Sequence, residues 1–278
     1  MNILVDNYVT AFSTEAIYLY HTLDNTEGLN AFYWPNKNIS TYDIFDETNP
    51  DVFITHVGHV NFELASYITD NKSDMIVLLS TEDYPQDKLL EVQTVLLEHD
   101  KSLLNNLFFL NRKHNPQKTK IKSVVLSPCA DINIPEATVE YNIPKAYVVS
   151  AGAKLEKHEG SYHYLSNDNR EACIAAPQQN LASIMSKYDE IEFSNMPSFR
   201  QAFYDAAFRC NKVYYSSDNK KLDEQSEKIF GQVLSKENKE NVDYEEVKKV
   251  IAEKHTPRNR VKSLLSQLPI NHQLFTEV

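Results

Sequence analysis

Three side chains in the first quarter of the chain stand where proton-transfer chemistry would need them: Asp6, His56 and His59. Asp6 follows the short apolar run 3–5, and the two histidines follow the strand-like run 51–55. In open α/β sheets a ligand binds in the crevice outside the carboxyl ends of the strands, so residues just past each strand meet it. An imidazole with an ordinary pKa of about 6.5 can take a proton from a hydroxyl at neutral pH. A surface aspartate needs its pKa raised by burial for the same task, and the polar neighbours Asn7 and Thr10 argue against that. His59 and His56 are therefore the favoured general bases, with Asp6 behind them. Each has a plainer reading. Asp6 can be a loop or capping residue, and the histidines can be packed, or can bind a metal with Glu63. His-x-x-His is not the i, i+4 pair of a helical zinc site, so no metal is expected. Glu82 and Asp83, ahead of Tyr84-Pro85, suit a helix entry favoured by the helix dipole.

Two further stretches suit an anion. The stretch 195–200, Asn-Met-Pro-Ser-Phe-Arg, offers a helix start with Pro197 in its first turn, Ser198 beside it and Arg200 close behind. The stretch 150–154, Ser-Ala-Gly-Ala-Lys, follows an apolar run; Gly152 permits close backbone approach and Lys154 can neutralise a phosphate. An ordinary capped helix and a plain turn are the alternatives. His255, Arg258 and Arg260 read as docking residues of the last helix.

The elements that must position these residues alternate. Runs at 3–5, 31–34, 51–55, 75–79, 107–110 and 123–126 read as strands. Helical patterns at 13–23, 40–47, 62–69 and 86–104 lie among them, the second capped by Ser40 or Thr41. Unbroken apolar strands alternating with helices mark a parallel sheet covered on both faces. The prolines at 128, 135 and 144 read as an interdomain crossing. Strands at 147–149, 173–176, 190–193 and 212–215 and helices at 179–188 and 198–208 then form a second series. The charged stretch 218–254 reads as helical, its apolar stripe made of Leu222, Ile229, Val233, Val247, Val250 and Ile251, its charge a solvated surface. Leu264, Leu265 and Leu268 read as core packing.

Composition narrows the function. The 278 residues suit about two domains. Apolar content of 42% and charged content of 24% exclude a wholly disordered chain. No run nears the ~18 apolar residues of a membrane span, and the start has no basic segment of a secretory leader. Three scattered cysteines argue against a disulfide framework and a cysteine zinc site, so a cytoplasmic location is expected. Five glycines and neither G-x-G-x-x-G nor a Walker motif set aside nicotinamide oxidoreductases and P-loop enzymes. A net charge of −11 lowers the expectation of nucleic-acid binding.

Four stretches, in order, resemble one family. Residues 49–59, NPDVFITHVGH, are similar to the "PDV…H.H" strand and loop of GT-B glycosyltransferases. Residues 123–131, SVVLSPCAD, resemble their strand into "P-x-x-D" at the domain crossing, and 199–211, FRQAFYDAAFRCN, their "R.FEA.ACG" donor-domain helix. Residues 255–265, HTPRNRVKSLL, resemble the C-terminal "HTY..R…LL" of spore-maturation-type, family 1-like members. The resemblance implies two Rossmann-like α/β domains of GT-B type, with the C-terminal helix returning to the first. Residues 1–128 with 255–278 would form the acceptor domain, and residues 129–254 the nucleotide-sugar donor domain. It implies transfer of a sugar from a nucleotide-sugar to an acceptor hydroxyl, with no cofactor beyond that co-substrate. His59, His56 and Asp6 would be catalytic; Gly152, Lys154, Ser198, Arg200 and Asp205 would bind the donor.

The chain departs from the family pattern at two positions. Ala206 stands at the usual acid, with Asp205 beside it, and Asn211 stands where glycine is usual. Asn tolerates a left-handed backbone better than most residues, so the helix end survives on this reading. The departures motivate an alternative: a non-catalytic two-domain binding protein that kept the fold and lost the donor site. The acceptor is a glycan or protein hydroxyl, or a hydroxymethylated DNA base as modified in some bacteriophages. For DNA, the only candidate contacting stretch is the basic run Arg112-Lys113-His114 with Lys118, Lys120 and Lys122, which also reads as a solvated interdomain loop.

Overall fold

In the computed structural model, the described residues are 1–6, 19–20, 22–34, 40–60, 62–71, 74–80, 106–111, 121–126, 129–130, 138, 142–148, 162–166, 173–175, 183–193, 201–216 and 219–270. The chain divides into two compact units, residues 1–127 with 260–278, and residues 128–259.

The first unit is built on six parallel strands: β1 (Asn2–Asp6), β2 (Asn30–Trp34), β3 (Val52–His56), β4 (Ile76–Ser80), β5 (Leu107–Asn111) and β6 (Lys122–Val125). Their order is β2-β1-β3-β4-β5-β6. Alternate side chains enter two separate cores. Ile3, Val5, Val52, Ile54, Ile76 and Leu78 face one; Leu4, Phe53, Val77, Leu79 and Phe109 face the other, with Phe45 and Tyr67. Apolar residues on both faces are what a doubly covered parallel sheet needs. Helix α1 (Thr41–Thr48) starts at Ser40, whose hydroxyl accepts from Asp43 N–H at 3.1 Å, and ends at left-handed Asn49 just before Pro50. Helix α2 (Phe62–Asn71) follows β3.

The second unit holds five parallel strands: β7 (Lys145–Val148), β8 (His163–Ser166), β9 (Cys173–Ala175), β10 (Glu190–Phe193) and β11 (Lys212–Tyr215), ordered β11-β10-β7-β8-β9. One face carries Ala146, Leu165, Ile191, Phe193, Val213 and Tyr215. Helix α3 (Gln201–Arg209) buries Phe203, Tyr204, Ala206 and Ala207 in the same core, joined by α4 (Lys220–Phe230) and α5 (Tyr244–Lys254). The expected continuous helical stretch over 218–254 is two helices. Gly231, at φ +74°, closes α4, and Asp243 caps α5 by accepting from Glu246 N–H at 3.1 Å. The segment between them pairs Ser235 with Tyr215 beside β11. Strand β8 is not among the strands that the apolar runs predict.

The final helix α6 (Pro257–Leu265) carries Val261, Leu264 and Leu265, with Leu268 beyond it, into one core of the first unit. Gln267 accepts from Val125 N–H at 2.8 Å and donates to Val125 C=O at 3.0 Å, occupying the free edge of β6. The helix end at Asn211 needs no left-handed backbone: Asn49 is the only non-glycine residue with positive φ among the described residues. Asn211 instead donates to Asp189 Oδ1 at 3.2 Å.

Candidate active site

A strand order of 2-1-3-4-5-6 reverses direction between its first and third strands, and such a switch point opens a crevice at the carboxyl ends. Asp6 is the last residue of β1 and His56 the last of β3. The register Val5↔Ile54 and Asp6↔Trp34 lines up Trp34, Asp6 and Thr55 across three neighbouring strands. The chain then turns sharply through the 3₁₀ segment Val57–His59, anchored by fully buried Val57. That turn returns His59 over the end of β1.

The result is a hydrogen-bonded cluster. His59 Nδ1 contacts Asp6 Oδ2, and the Thr55 hydroxyl donates to the same oxygen at 2.7 Å. Thr55 Oγ1 lies 3.4 Å from His59 Nδ1. Asp6 and Thr55 are buried, while the His59 side chain keeps 21% of its surface exposed. The Trp34 ring flanks that of His59, centroids 5.7 Å apart. A buried carboxylate that accepts Nδ1–H holds the imidazole in one orientation and leaves Nε2 to take a proton. Nearby on β2, burial and then the Asp6 charge push the Tyr33 phenol pKa up.

His56 belongs to a different arrangement. Its Nδ1 accepts from Gly58 N–H at 3.0 Å, so it caps the turn that carries His59. The structure thus brings Asp6 and His59 together and gives His56 a backbone partner. Among the described residues, no group of three or more His, Cys, Asp or Glu side chains is placed to hold a metal.

The second sheet, taken from β7, runs 3-2-1-4-5, and its switch point lies between β7 and β10, where Val148 pairs Phe193. Gly152, Lys154, Ser198 and Arg200 lie outside the described residues, as does the basic stretch from Arg112 to Lys120. Asp205 is fully buried on α3, and Ala206 beside it sits in the core. Arg258 is exposed. His255 packs against Tyr204 and Phe230, its Nε2 is 3.1 Å from Ile229 C=O, and burial lowers its pKa.

Sequence reasoning missed one cluster. Glu190 and Glu192 project from the face of β10 opposite the apolar core, beside Tyr214. Glu190 meets Lys145 at 3.0 Å and Lys239 at 2.9 Å, and the Tyr214 hydroxyl donates to it. Glu192 meets Lys236 at 3.0 Å, and Lys239 lies 4.5 Å from the centre of the Tyr214 ring. Burial pushes the Glu190 pKa up, but bonds from Tyr214, Lys239 and Lys145 outweigh it and hold the group down at about 2. Burial, then the Glu190 bond, pushes Tyr214 up. Glu190, Lys145 and Lys212 begin their strands. The cluster is thus weighted to the sheet end away from a switch-point crevice and holds structure together. The alternating acidic residues in Glu190-Ile191-Glu192-Phe193 are the signal that could have revealed it.

No protein-family model matches the chain, and no curated protein matches it. Among solved structures, the chain is similar to one titled "Crystal Structure Analysis of the Glycotransferase of kitacinnamycin", with a TM-score of 0.43 and 9% identity over 96% of this chain and 98% of that one. No helix among the described residues is long and apolar enough to cross a membrane.

Proposed function

We propose that the protein is a glycosyltransferase that moves a sugar from a nucleotide-sugar to an acceptor hydroxyl with inversion. The observation that carries this reading is the Asp6–His59 pair at the switch point of the first sheet. His59 Nε2 takes the acceptor proton as the acceptor oxygen attacks the sugar's anomeric carbon. The bond from that carbon to the donor phosphate breaks, and the nucleotide diphosphate leaves with the electron pair. Asp6 stabilises the imidazolium that forms. In this reading Gly152, Lys154, Ser198 and Arg200 bind the diphosphate. Support comes from their place in the chain, since they follow β7 and β10, whose ends are register partners at the second switch point.

The test is nucleotide release from a panel of UDP-, GDP-, ADP- and dTDP-sugars. The wild type should release nucleotide from at least one donor. His59→Ala should cut turnover roughly 10²–10⁴-fold while donor affinity stays nearly unchanged. No release and no binding with any donor would sink the reading and favour the non-catalytic two-domain binding protein.

A further inference from the structure

Thr55 is the third member of the Asp6–His59 cluster. It stands in β3, where all five residues are buried, and is itself fully shielded from solvent. Valine would fill nearly the same volume there, and a buried hydroxyl is unfavourable unless it is hydrogen-bonded. The hydroxyl is bonded, to Asp6 Oδ2 at 2.7 Å. Being β-branched and on a central strand, Thr55 has few rotamers, so the backbone of β3 dictates where its oxygen sits.

We infer that Thr55 is the positioning residue of the Asp6–His59 pair: its hydroxyl aims the carboxylate and keeps the imidazole hydrogen on Nδ1. The catalytic consequence rests on the proposed function; the geometry does not. A hydroxyl has one proton, and Thr55 gives it to Asp6. Toward His59 Nδ1, 3.4 Å away, Thr55 Oγ1 therefore presents only lone pairs. Asp6 Oδ2 does the same, so Nδ1 faces two acceptors and must carry the hydrogen. Nε2 is then the basic nitrogen of the ring. The same donated bond draws charge from the carboxylate and tempers its pull on a protonated ring. The titratable groups around the pair, among the described residues, are Tyr33 on β2 and His56 on β3 itself; Ser80 of β4 is the register partner of His56.

Thr55→Val removes the hydroxyl at nearly constant shape, and Thr55→Ser keeps it. In histidine-15N-labelled full-length protein, the His59 resonances are those missing from His59→Gln. The His59 titration midpoint should rise by roughly half a pH unit or more in Thr55→Val and return to wild type in Thr55→Ser. In turnover, the acidic limb of the kcat profile should move up with it while donor KM holds. If Thr55→Val does not fold, Thr55→Ala makes the same comparison. Equal midpoints in wild type and the hydroxyl-free variant, or a lower one in that variant, overturn the inference. The midpoint is read without substrate, so failure to transfer sugar would sink the proposed function and leave this result standing.

Discussion

Glu192 and Lys236 form a 3.0 Å ion pair in which the carboxylate has no exposed surface and half the lysine side chain lies in water. Lys236 comes from the segment between α4 and α5, just past the Ser235 bridge to β11. It thereby pins that segment across the polar face of the second sheet. Glu192 also lies 3.3 Å from the Tyr214 hydroxyl, which alone does not neutralise a buried charge.

Lys236→Met should therefore destabilise the protein by about 1–3 kcal/mol, below the range for a fully buried pair because this lysine is half in solvent. Glu192→Gln combined with Lys236→Met should recover much of that loss, since no charge is then stranded. Urea unfolding of the two single variants and the double variant reads the coupling. Strict additivity would show that the pair contributes nothing specific.

Glu190 supplies a pH signature. Its carboxyl is held down from 4.5 to about 2, so its contribution to stability is complete above about pH 4.5 and is lost as pH falls through about 2. The exposed portions of Lys145 and Lys239 screen the effect to on the order of 1–2 kcal/mol. Glu190→Gln should show a shallower decline of the urea midpoint over that window. Parallel curves for variant and wild type would remove Glu190 from the acid response.

Gly231 ends α4 at φ +74°, and a Cβ built there meets nothing within 4 Å. Any cost of Gly231→Ala is then backbone strain alone, about 1 kcal/mol. Gly231→Asn should cost less, because asparagine visits the left-handed region more readily. Thermal melts of the two variants rank them; an alanine variant as stable as wild type would refute the strain argument.

The first sheet is legible in the sequence because its strands are buried on both faces, and an unbroken run such as residues 75–79 leaves little choice. Strand β8 is not, since Tyr162-His163-Tyr164-Leu165-Ser166 mixes polar and aromatic residues without an apolar run. Asp6 and His59 are singled out by position alone. Their contact, 53 residues apart, depends on β1 pairing both β2 and β3, which no local pattern states. His56 and His59 look equivalent until the 3₁₀ turn separates them, giving one a backbone N–H and the other a carboxylate. Lys236 and Lys239 are hidden in a charge run that reads as solvated helix until Gly231 breaks it.

Asp6→Asn tests the pair without disturbing its packing. The amide is nearly isosteric with the carboxylate. The Thr55 hydroxyl and His59 Nδ1 both meet the one oxygen Oδ2, where the amide oxygen can accept from both. That oxygen carries no negative charge to stabilise the imidazolium formed when Nε2 takes the acceptor proton. The base is weakened although every atom is nearly in place. Turnover of the proposed transfer should fall roughly 10²–10⁴-fold, with donor affinity and melting temperature close to wild type. Because the two residues act as one unit, adding Asp6→Asn to His59→Ala should cost little beyond His59→Ala alone. Nucleotide-release kinetics on both single variants and the double variant decide it: Asp6→Asn turnover at the wild-type level would mean that His59 needs no carboxylate behind it.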